Sequence, residues 1–326
     1  RVSQYNTVSN NAIFGGGRFL PGGEGTGIWM GSTHHNTVDH NDIHDFYNGA
    51  IELGQTPNGS TTFTHDNMIS SNALYDLGQG VTSDMGCVHA ASSNNQGNQI
   101  VNNVCHDVTQ YQGQHGYGGH GIYLDSNTRN VVVKNNLVYR VSDSALFVNT
   151  LASNITVTNN IFAFAREGAL FRGTVTPAGS FSASHNIFLY DLGTIQRLPS
   201  QWVCQGNCTG EFDLDWNLFW NTEKTAPLFV TTDLISPAQV AAEFTLAQWQ
   251  SELGEDLHSH NLNPNFVNPV YPADNFNFSP NSRAAAMIGF VPFHPASAGP
   301  TGRLDIPPGP VPAAFPLQLL NRAKDF

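Results

Sequence analysis

The chain has 326 residues, a formal net charge of −12 and only 13 lysine and arginine residues. This balance argues against nucleic acid and against strongly anionic polysaccharides as partners, because both need a basic surface. No apolar run reaches the ~18 residues of a membrane span. We therefore expect no membrane span, and ligands that are neutral or weakly charged.

An asparagine opens the last strand of each of eight repeated units. Successive units are 30, 31, 31, 33, 24, 26 and 31 residues apart, a range typical of solenoids. Two positions after each asparagine stands a core residue, from Ile13 in the first unit to Phe219 in the last. The asparagine column consists of Asn11, Asn41, Asn72, Asn103, Asn136, Asn160, Asn186 and Asn217.

The strands between these asparagines are short, alternate in polarity and are separated by Asn, Gly, Ser and Thr turns, so the chain is all-β. Strands that stack on their own copies one turn later run parallel. Inward asparagines at a corner can hydrogen-bond from turn to turn as a ladder. The sequence therefore predicts a right-handed parallel β-helix, a solenoid of the pectate-lyase-like kind.

The repeats predict two regions. Residues 1–221 form the β-helix, and residues 222–326 form a C-terminal cap and a proline-rich tail packed on it. In the second region SPAQVAAEFTLAQWQSELGED has helical spacing, with an entry signal at Ser236-Pro237 and an exit signal at Gly254. The chain begins in mid-repeat, so we expect an N-terminal fragment or a second chain to cover the open first turn.

The cysteines and the glycosylation triplets suggest a secreted or cell-surface protein. CQGNC, which contains Cys204 and Cys208, predicts a small local disulfide, while the state of Cys87 and Cys105 stays open. Four N-x-S/T triplets fit this location. CxxxC is weak zinc spacing, and turns three to five contain no HxH or HExxH motif, so we predict no metal and no cofactor.

A candidate ligand groove follows from strand alternation. If Ile28, Ile51 and Val88 and their counterparts face inward, the next residue of each strand faces solvent. Aromatic faces on such a stripe could stack on sugar rings; the alternative is that long loops bury the stripe as a secondary core. The stripe consists of Trp29, Glu52, His89, Tyr123, Phe147 and Phe171.

Two aspartates are candidates for glycosidic bond cleavage. Asp125 lies two residues beyond Tyr123 and projects from the same face. Asp84 can join it only if its glycine-flanked loop folds over that face; otherwise each is an ordinary turn residue. The candidate substrate-binding side chains are Trp29, Glu52, His89, His120, Tyr123, Phe147 and Arg172.

Several segments resemble known proteins. SDMGCVHAAS, NNVCHDV, YGGHGIYLDSNTRNVVVKNNLVYRV, FTLAQWQSELGEDLHSHNLNPNFVNP and IGFVPF are similar to right-handed β-helix proteins around glycoside hydrolase family 141. The resemblance covers roughly residues 35–292 and implies α-L-fucosidase or xylanase activity outside the cytoplasm, with Asp84 and Asp125 as the catalytic pair. The chain departs from that pattern at Cys87 and His89, where Gly and Tyr are usual, and at Asn263-Pro264, where Asp-Pro is usual.

The sequence is compatible with three functions. The first is a glycoside hydrolase that cleaves a neutral or fucosylated oligo- or polysaccharide with two carboxylates. The second is a non-catalytic carbohydrate-binding or structural fibre protein. The third is a polysaccharide lyase or epimerase, which needs cations beside a uronate; Lys134, Arg140 and Arg172 are too scattered to form such a site.

Overall fold

The computed structural model describes residues 2–19, 25–55, 62–92, 95–111, 118–149, 151–173, 181–191, 194–199, 212–223, 229–232 and 242–302. Short strands stack in parallel on their own copies in three long sheets, and a fourth, shorter sheet lies at one corner. The long sheets run through eight turns of a coil. Within the described ranges, no helix combines the length and the apolar character needed to cross a membrane.

The corner sheet contains Ser3–Gln4, Thr33–His34, Thr64–His65 and Asn95–Gln96. Sheet 1 contains Thr7–Ser9, Thr37–Asp39, Met68–Ser70, Gln99–Val101, Val132–Lys134, Ile155–Thr158, Phe181–Ser184 and Phe212–Asp215. Sheet 2 contains Ala12–Phe14, Asp42–Phe46, Ala73–Leu77, Val104–Val108, Leu137–Val141, Ile161–Ala163, Ile187–Tyr190, Leu218–Asn221 and His260–Asn261. Sheet 3 contains Ile28–Met30, Ile51–Leu53, Met85–Ala90, Gly119–Leu124, Ser144–Val148, Gly168–Arg172, Thr194–Pro199, Phe229–Thr232 and an antiparallel last strand, Ala242–Phe244.

The asparagine column forms the predicted ladder at the corner between sheets 1 and 2. The backbone nitrogen and Nδ2 of Asn41 both donate to Oδ1 of Asn72, each at 3.0 Å, and this pattern repeats from Asn11 to Asn217. The residue before each ladder asparagine is in the left-handed region, for example His40 with φ 53°. A polar corner is therefore satisfied inside the coil.

Both apolar columns are in register and line one interior core. Inside it a disulfide joins Cys87 of sheet 3 to Cys105 of sheet 2, with 6.0 Å between their Cα atoms. Cys87 stacks beside Gly121 of the next turn, where a Cβ would lie only 2.3 Å from Val138 Cγ1. The disulfide thus fixes sheet 2 to sheet 3 covalently. The predicted Cys204–Cys208 bond falls outside the described residues.

A strand interrupts the predicted C-terminal helix, whose first residues, up to 241, fall outside the described ranges. Ala242–Phe244 forms a strand on the edge of sheet 3, and a helix follows at Leu246–Gln248, continuing as π-helix over Trp249–Leu253. The helical prediction is wrong over the strand because the edge of sheet 3 supplies backbone partners there, and Thr245 with Gln248 forms a capping box that starts the helix later. Gly254 ends it in the left-handed region, φ 73°, as predicted.

The segment after this helix terminates the asparagine ladder. Asn217 donates from Nδ2 to Asp256 Oδ1 at 2.9 Å and from its backbone nitrogen to Ser259 Oγ at 2.7 Å. Trp249, fully buried, donates from Nε1 to Asp256 Oδ2 at 3.1 Å. Burial raises the pKa of Asp256 to about 6, and these hydrogen bonds oppose the rise. One buried carboxylate therefore takes the place of a ninth ladder residue.

The remaining C-terminal residues pack on the outside of the coil. Phe266–Asn268 pairs antiparallel with Asn275–Phe278, and short helices follow at Ala284–Met287 and Pro295–Ser297. Their apolar side chains form a second core against sheet 2. From there the chain runs back along the ladder corner, where Val291 binds Asn159, Gly299 binds Ser71 and Thr301 binds Asn10. The division at residue 221 itself stays a prediction.

Candidate functional site

The predicted stripe is a single stacked column on the outer face of sheet 3. Strand register aligns its six residues turn by turn, and we call this set the sheet 3 column. The column consists of Trp29, Glu52, His89, Tyr123, Phe147 and Phe171.

The rings of this column stack on one another. Centroids lie 4.2 Å apart for His89 and Tyr123, 4.9 Å for Tyr123 and Phe147, and 4.7 Å for Phe147 and Phe171. The planes are within 21° of parallel. Because each ring face contacts the ring of the next turn, the faces inside the column are not open to a sugar.

The expectation that the column faces solvent is wrong over its middle. Glu52 and Tyr123 are each 1% exposed, and His89 and Phe147 are each 2% exposed. Residues outside the strands contribute to the burial: a Cβ at Gly173 would lie 2.7 Å from the Phe147 ring, and Asp84 contacts the Tyr123 hydroxyl. The prediction's alternative, a secondary core under loops, describes this stretch.

Trp29, at the first turn, is different. It is 47% exposed, and its Nε1 donates to the carbonyl of Gln55 at 3.0 Å. Trp29 is therefore the residue of the column that a ligand reaches most readily.

His120 and Arg172 are also buried, at 0% exposure. Arg172 donates from its guanidinium to the carbonyl of Val148 at 3.0 Å. Both side chains were expected to contact a substrate at the surface. Because they are buried, they lie beneath the surface instead.

Glu52 and His89 form a buried pair between consecutive turns. Oε2 of Glu52 is 3.1 Å from Nδ1 of His89. Burial raises the pKa of Glu52; burial lowers the pKa of His89, but the Glu52 carboxylate outweighs this and leaves it raised. Both shifts favour a proton on the pair. Glu52 Oε1 and His89 Nε2 are buried and have no hydrogen-bond partner among the described residues.

His120 lies beside this pair and is uncharged. Its Nδ1 is 2.8 Å from Ser144 Oγ, and its ring packs 4.8 Å from Tyr123 and 4.6 Å from Phe147. Burial, followed by the charge of His89, lowers the pKa of His120 to about 3. At Nε2, too, the described part of the chain supplies no partner. A neutral imidazole with a buried, unpartnered Nε2 is therefore held next to the Glu52–His89 pair.

Asp84 and Asp125 meet at this cluster. The Tyr123 hydroxyl donates to Asp84 Oδ1 at 3.1 Å, so the loop of Asp84 does fold over sheet 3. Burial, with the charges of Asp84 and Asp125, raises the pKa of Tyr123 and keeps this donor protonated. Asp84 is exposed, whereas Asp125 is half-buried with an Oδ1 that finds no partner within the described ranges. Both carboxylates act electrostatically on Glu52 and His89 as well.

Two residues of the cluster were missed by the sequence reasoning. Ser144 contacts His120, and Asn149 donates from Nδ2 to the Tyr123 hydroxyl at 3.4 Å. The register aligns Leu124 with Val148, so Asn149 follows its strand at the same place as Asp125. Alignment of consecutive turns could have identified Asn149; nothing in the sequence marks Ser144.

The three candidate cations, Lys134, Arg140 and Arg172, do not come together in one site that could neutralise a uronate carboxylate. Arg140 binds Asp107 at 2.8 Å and also pairs with Asp274. Lys134 is exposed on sheet 1, and Arg172 binds a backbone carbonyl. The scatter that the sequence predicts for these three side chains is what the structure shows.

Residues 1–162 match the family model described as a right handed beta helix region. The fold is a right-handed parallel β-helix. This match confirms the predicted fold and its hand but lends no support to glycoside hydrolase family 141 in particular. No curated protein matches the chain.

Proposed function

We propose that this β-helix protein is an extracellular glycoside hydrolase whose catalytic pair is Asp84 and Asp125. The observation that supports the proposal most is that both carboxylates adjoin Tyr123, which donates a hydrogen bond to Asp84. Neither aspartate is fully buried, so both can meet a substrate at the surface of sheet 3.

The reaction requires two carboxylates in different protonation states. One protonates the leaving oxygen as the glycosidic bond breaks; the other attacks the sugar carbon or activates the water that adds to it. The two aspartates differ in their contacts: the Tyr123 hydroxyl donates to Asp84, whereas Asp125 has a buried Oδ1 without a partner among the described residues.

Glu52, His89 and His120 act in this proposal as positioning residues. They are at most 2% exposed, so they do not contact a glycan themselves. They form the floor under Tyr123 and hold its ring between His89 and Phe147. The hydroxyl of Tyr123 is thereby fixed beneath Asp84, which is the role that a rigid support gives to a catalytic group.

A neutral or fucosylated glycan is the substrate class that the charges favour. Net charge is −12, and Arg140 and Arg172 are engaged away from Asp84 and Asp125. A lyase or epimerase would need a cation next to the uronate carboxylate, and none of the three candidate cations is available for it. The Cys87–Cys105 disulfide supports an oxidising compartment outside the cytoplasm.

The test is release of reducing sugar from fucosylated glycans, xylans and uronate polymers. Wild type is compared with Asp84→Asn and Asp125→Asn. Asp84 has φ 60°, which asparagine tolerates, so that change removes charge without backbone strain. Asp45→Asn is the matched control, since Asp45 is another left-handed aspartate, φ 58°, on sheet 2.

Loss of product in both site variants, with Asp45→Asn active, would support the hydrolase. Full activity in both site variants would refute the assignment of the pair. An absorbance rise on uronate polymers, from an unsaturated product, would revive the lyase.

The stacking of the column favours one further candidate, a non-catalytic carbohydrate-binding or structural protein. Ring faces used within the column leave Trp29 as its most exposed aromatic surface. This candidate predicts glycan binding that is lost in Trp29→Ala, together with silence across the hydrolysis panel. Product release by wild type would exclude it.

A further inference from the structure

Four side chains of metal-ligating type, three imidazoles and one carboxylate, meet at the corner sheet from two consecutive turns of the coil. Strand register aligns His34 with His65 of the next turn. Each is followed by a left-handed residue, His35 with φ 55° and Asp66 with φ 53°. Because the two turns have the same local backbone, His34 stacks over His65 and His35 lies over Asp66.

The distances bring the ligand atoms of this group together. His35, His65 and Asp66 each offer one atom, and these atoms all lie within 4.8 Å of one another. Nδ1 of His34 is 2.8 Å from Nδ1 of His35, and Nδ1 of His65 is 2.7 Å from Asp66 Oδ2. The rings of His34 and His65 are stacked with centroids 4.7 Å apart.

The neighbouring turn leaves room for the carboxylate. Gly97 occupies the position of Asp66 one turn later, since Asn95–Gln96 pairs with Thr64–His65. A Cβ at Gly97 would lie 2.4 Å from Asp66 Oδ1. A side chain at residue 97 would thus displace the carboxylate that faces His65.

The donor set suits a transition-metal ion, because such an ion binds neutral imidazole nitrogens together with an ionised carboxylate. Two imidazoles and a carboxylate are a set that first-row divalent ions bind.

We propose that His35, His65 and Asp66 bind one divalent transition-metal ion, with Zn²⁺ as the ion expected. His34 stands close enough to His35 to be a fourth ligand or to orient it. Such an ion would link the second and third turns at the corner sheet. The usual sequence rules look for ligands within one segment, and here they come from two turns about 30 residues apart.

The test is calorimetric titration of metal-free protein, without a polyhistidine tag, with ZnCl₂. Wild type should bind one Zn²⁺ per chain. His35→Asn and Asp66→Asn should each weaken binding on the order of tenfold or more. Asparagine suits the left-handed backbone at both positions, so the fold should be retained, and circular dichroism checks this.

His40→Asn is the matched control. His40 is also left-handed, φ 53°, and also pairs with an aspartate, its Nδ1 lying 2.5 Å from Asp39 Oδ2. At one Zn²⁺ concentration, the Tm of wild type and of His40→Asn should rise equally, and that of His35→Asn should rise less. Absence of Zn²⁺ binding by wild type, or equal loss in His40→Asn, would overturn the proposal. So would preference for Mg²⁺ or Ca²⁺ over Zn²⁺, because those ions select oxygen ligands.

Discussion

The outer faces of sheets 2 and 3 carry the same kind of column and differ in what surrounds it. The rings of both columns stack. Their centroids lie 4.7 to 5.2 Å apart on sheet 2 and 4.2 to 4.9 Å apart on sheet 3. Stacking is therefore a consequence of parallel register on either face, and by itself it does not indicate a site. The sheet 2 column consists of Phe14, His44, Tyr75, His106 and Tyr139.

The polar partners distinguish the two columns. On sheet 2, His44 and His106 each pair with the aspartate that follows them in the chain, at 2.9 and 2.6 Å, in half-buried positions. On sheet 3, His89 pairs with Glu52 across a turn in the interior, and each keeps one buried atom without a partner among the described residues. Among the described residues, Glu52, His89 and His120 of sheet 3 each have such an atom, against Asp42 Oδ1 on sheet 2. Unsatisfied buried polar atoms are costly, so their larger number favours sheet 3 as the face shaped for function.

The largest difference should appear when an acid is removed from each face. Glu52→Ala leaves His89 buried without its carboxylate, which should cost about 3–5 kcal/mol of unfolding free energy. Asp45→Asn next to His44 acts on a pair near the surface and should cost about 0–1 kcal/mol. Urea unfolding of both variants against wild type measures this, and equal losses would contradict the comparison.

The next largest effect concerns the covalent link between the faces. The Cys87–Cys105 disulfide closes a loop with a sequence separation of 18 residues, so its loss should cost about 3 kcal/mol. We expect reductant to lower the unfolding free energy of wild type by this amount, and to leave the double variant Cys87→Ala, Cys105→Ala unchanged. Thiol titration checks that the reductant has opened the bond. If the bond is open and the unfolding free energy of wild type is unchanged, the prediction is contradicted.

The features that repeat were the ones that the sequence predicted. The Asn ladder, the two core columns and the alignment of Glu52 with His89 follow from one register carried from turn to turn. Burial of the sheet 3 column depends instead on residues such as Gly173 and Asp84, which lie in connections of unequal length without a repeat. The expectation of an open groove failed for this reason.

Local sequence patterns predicted the structure better than contacts between distant residues could be predicted. Thr245 and Gln248 have the spacing of a capping box, a local signal that predicts a helix start at Leu246. The sequence indicated that Asp84 can reach the outer face of sheet 3 only if its loop folds over that face. In the structure the loop does so, and Asp84 accepts a hydrogen bond from Tyr123. The corner group of His35, His65 and Asp66 was not predicted, because its members come from two turns and no single segment has ligand spacing.

A smaller effect is a pH dependence confined to the buried face. His120 has a pKa of about 3 in the fold and about 6.5 when unfolded. The folded state binds fewer protons between these values, so stability is complete above pH 6.5 and is lost as pH falls toward 3. The slope approaches about 1.4 kcal/mol per pH unit.

The measurement is the difference between wild type and His120→Gln. From pH 6.5 to 5, wild type should lose about 2 kcal/mol more than the variant. Glu255 and Asp256, whose pKa values burial raises to about 8 and about 6, favour low pH, but they are present in both proteins and cancel. Parallel stability curves would show that His120 charges freely in the fold.

The smallest effect compares one tyrosine from each column. Burial raises the pKa of both Tyr123 and Tyr75, so each hydroxyl stays a donor; Tyr123 donates to Asp84, and Tyr75 hydrogen-bonds Asp42. Replacement of either by phenylalanine should cost about 1 kcal/mol of stability. On a glycan that wild type hydrolyses, only Tyr123→Phe should lower kcat, by about tenfold or about 1.4 kcal/mol. Equal kcat values would mean that the hydrogen bond to Asp84 supports folding alone, and the sheet 3 column would then be scaffold like its counterpart on sheet 2.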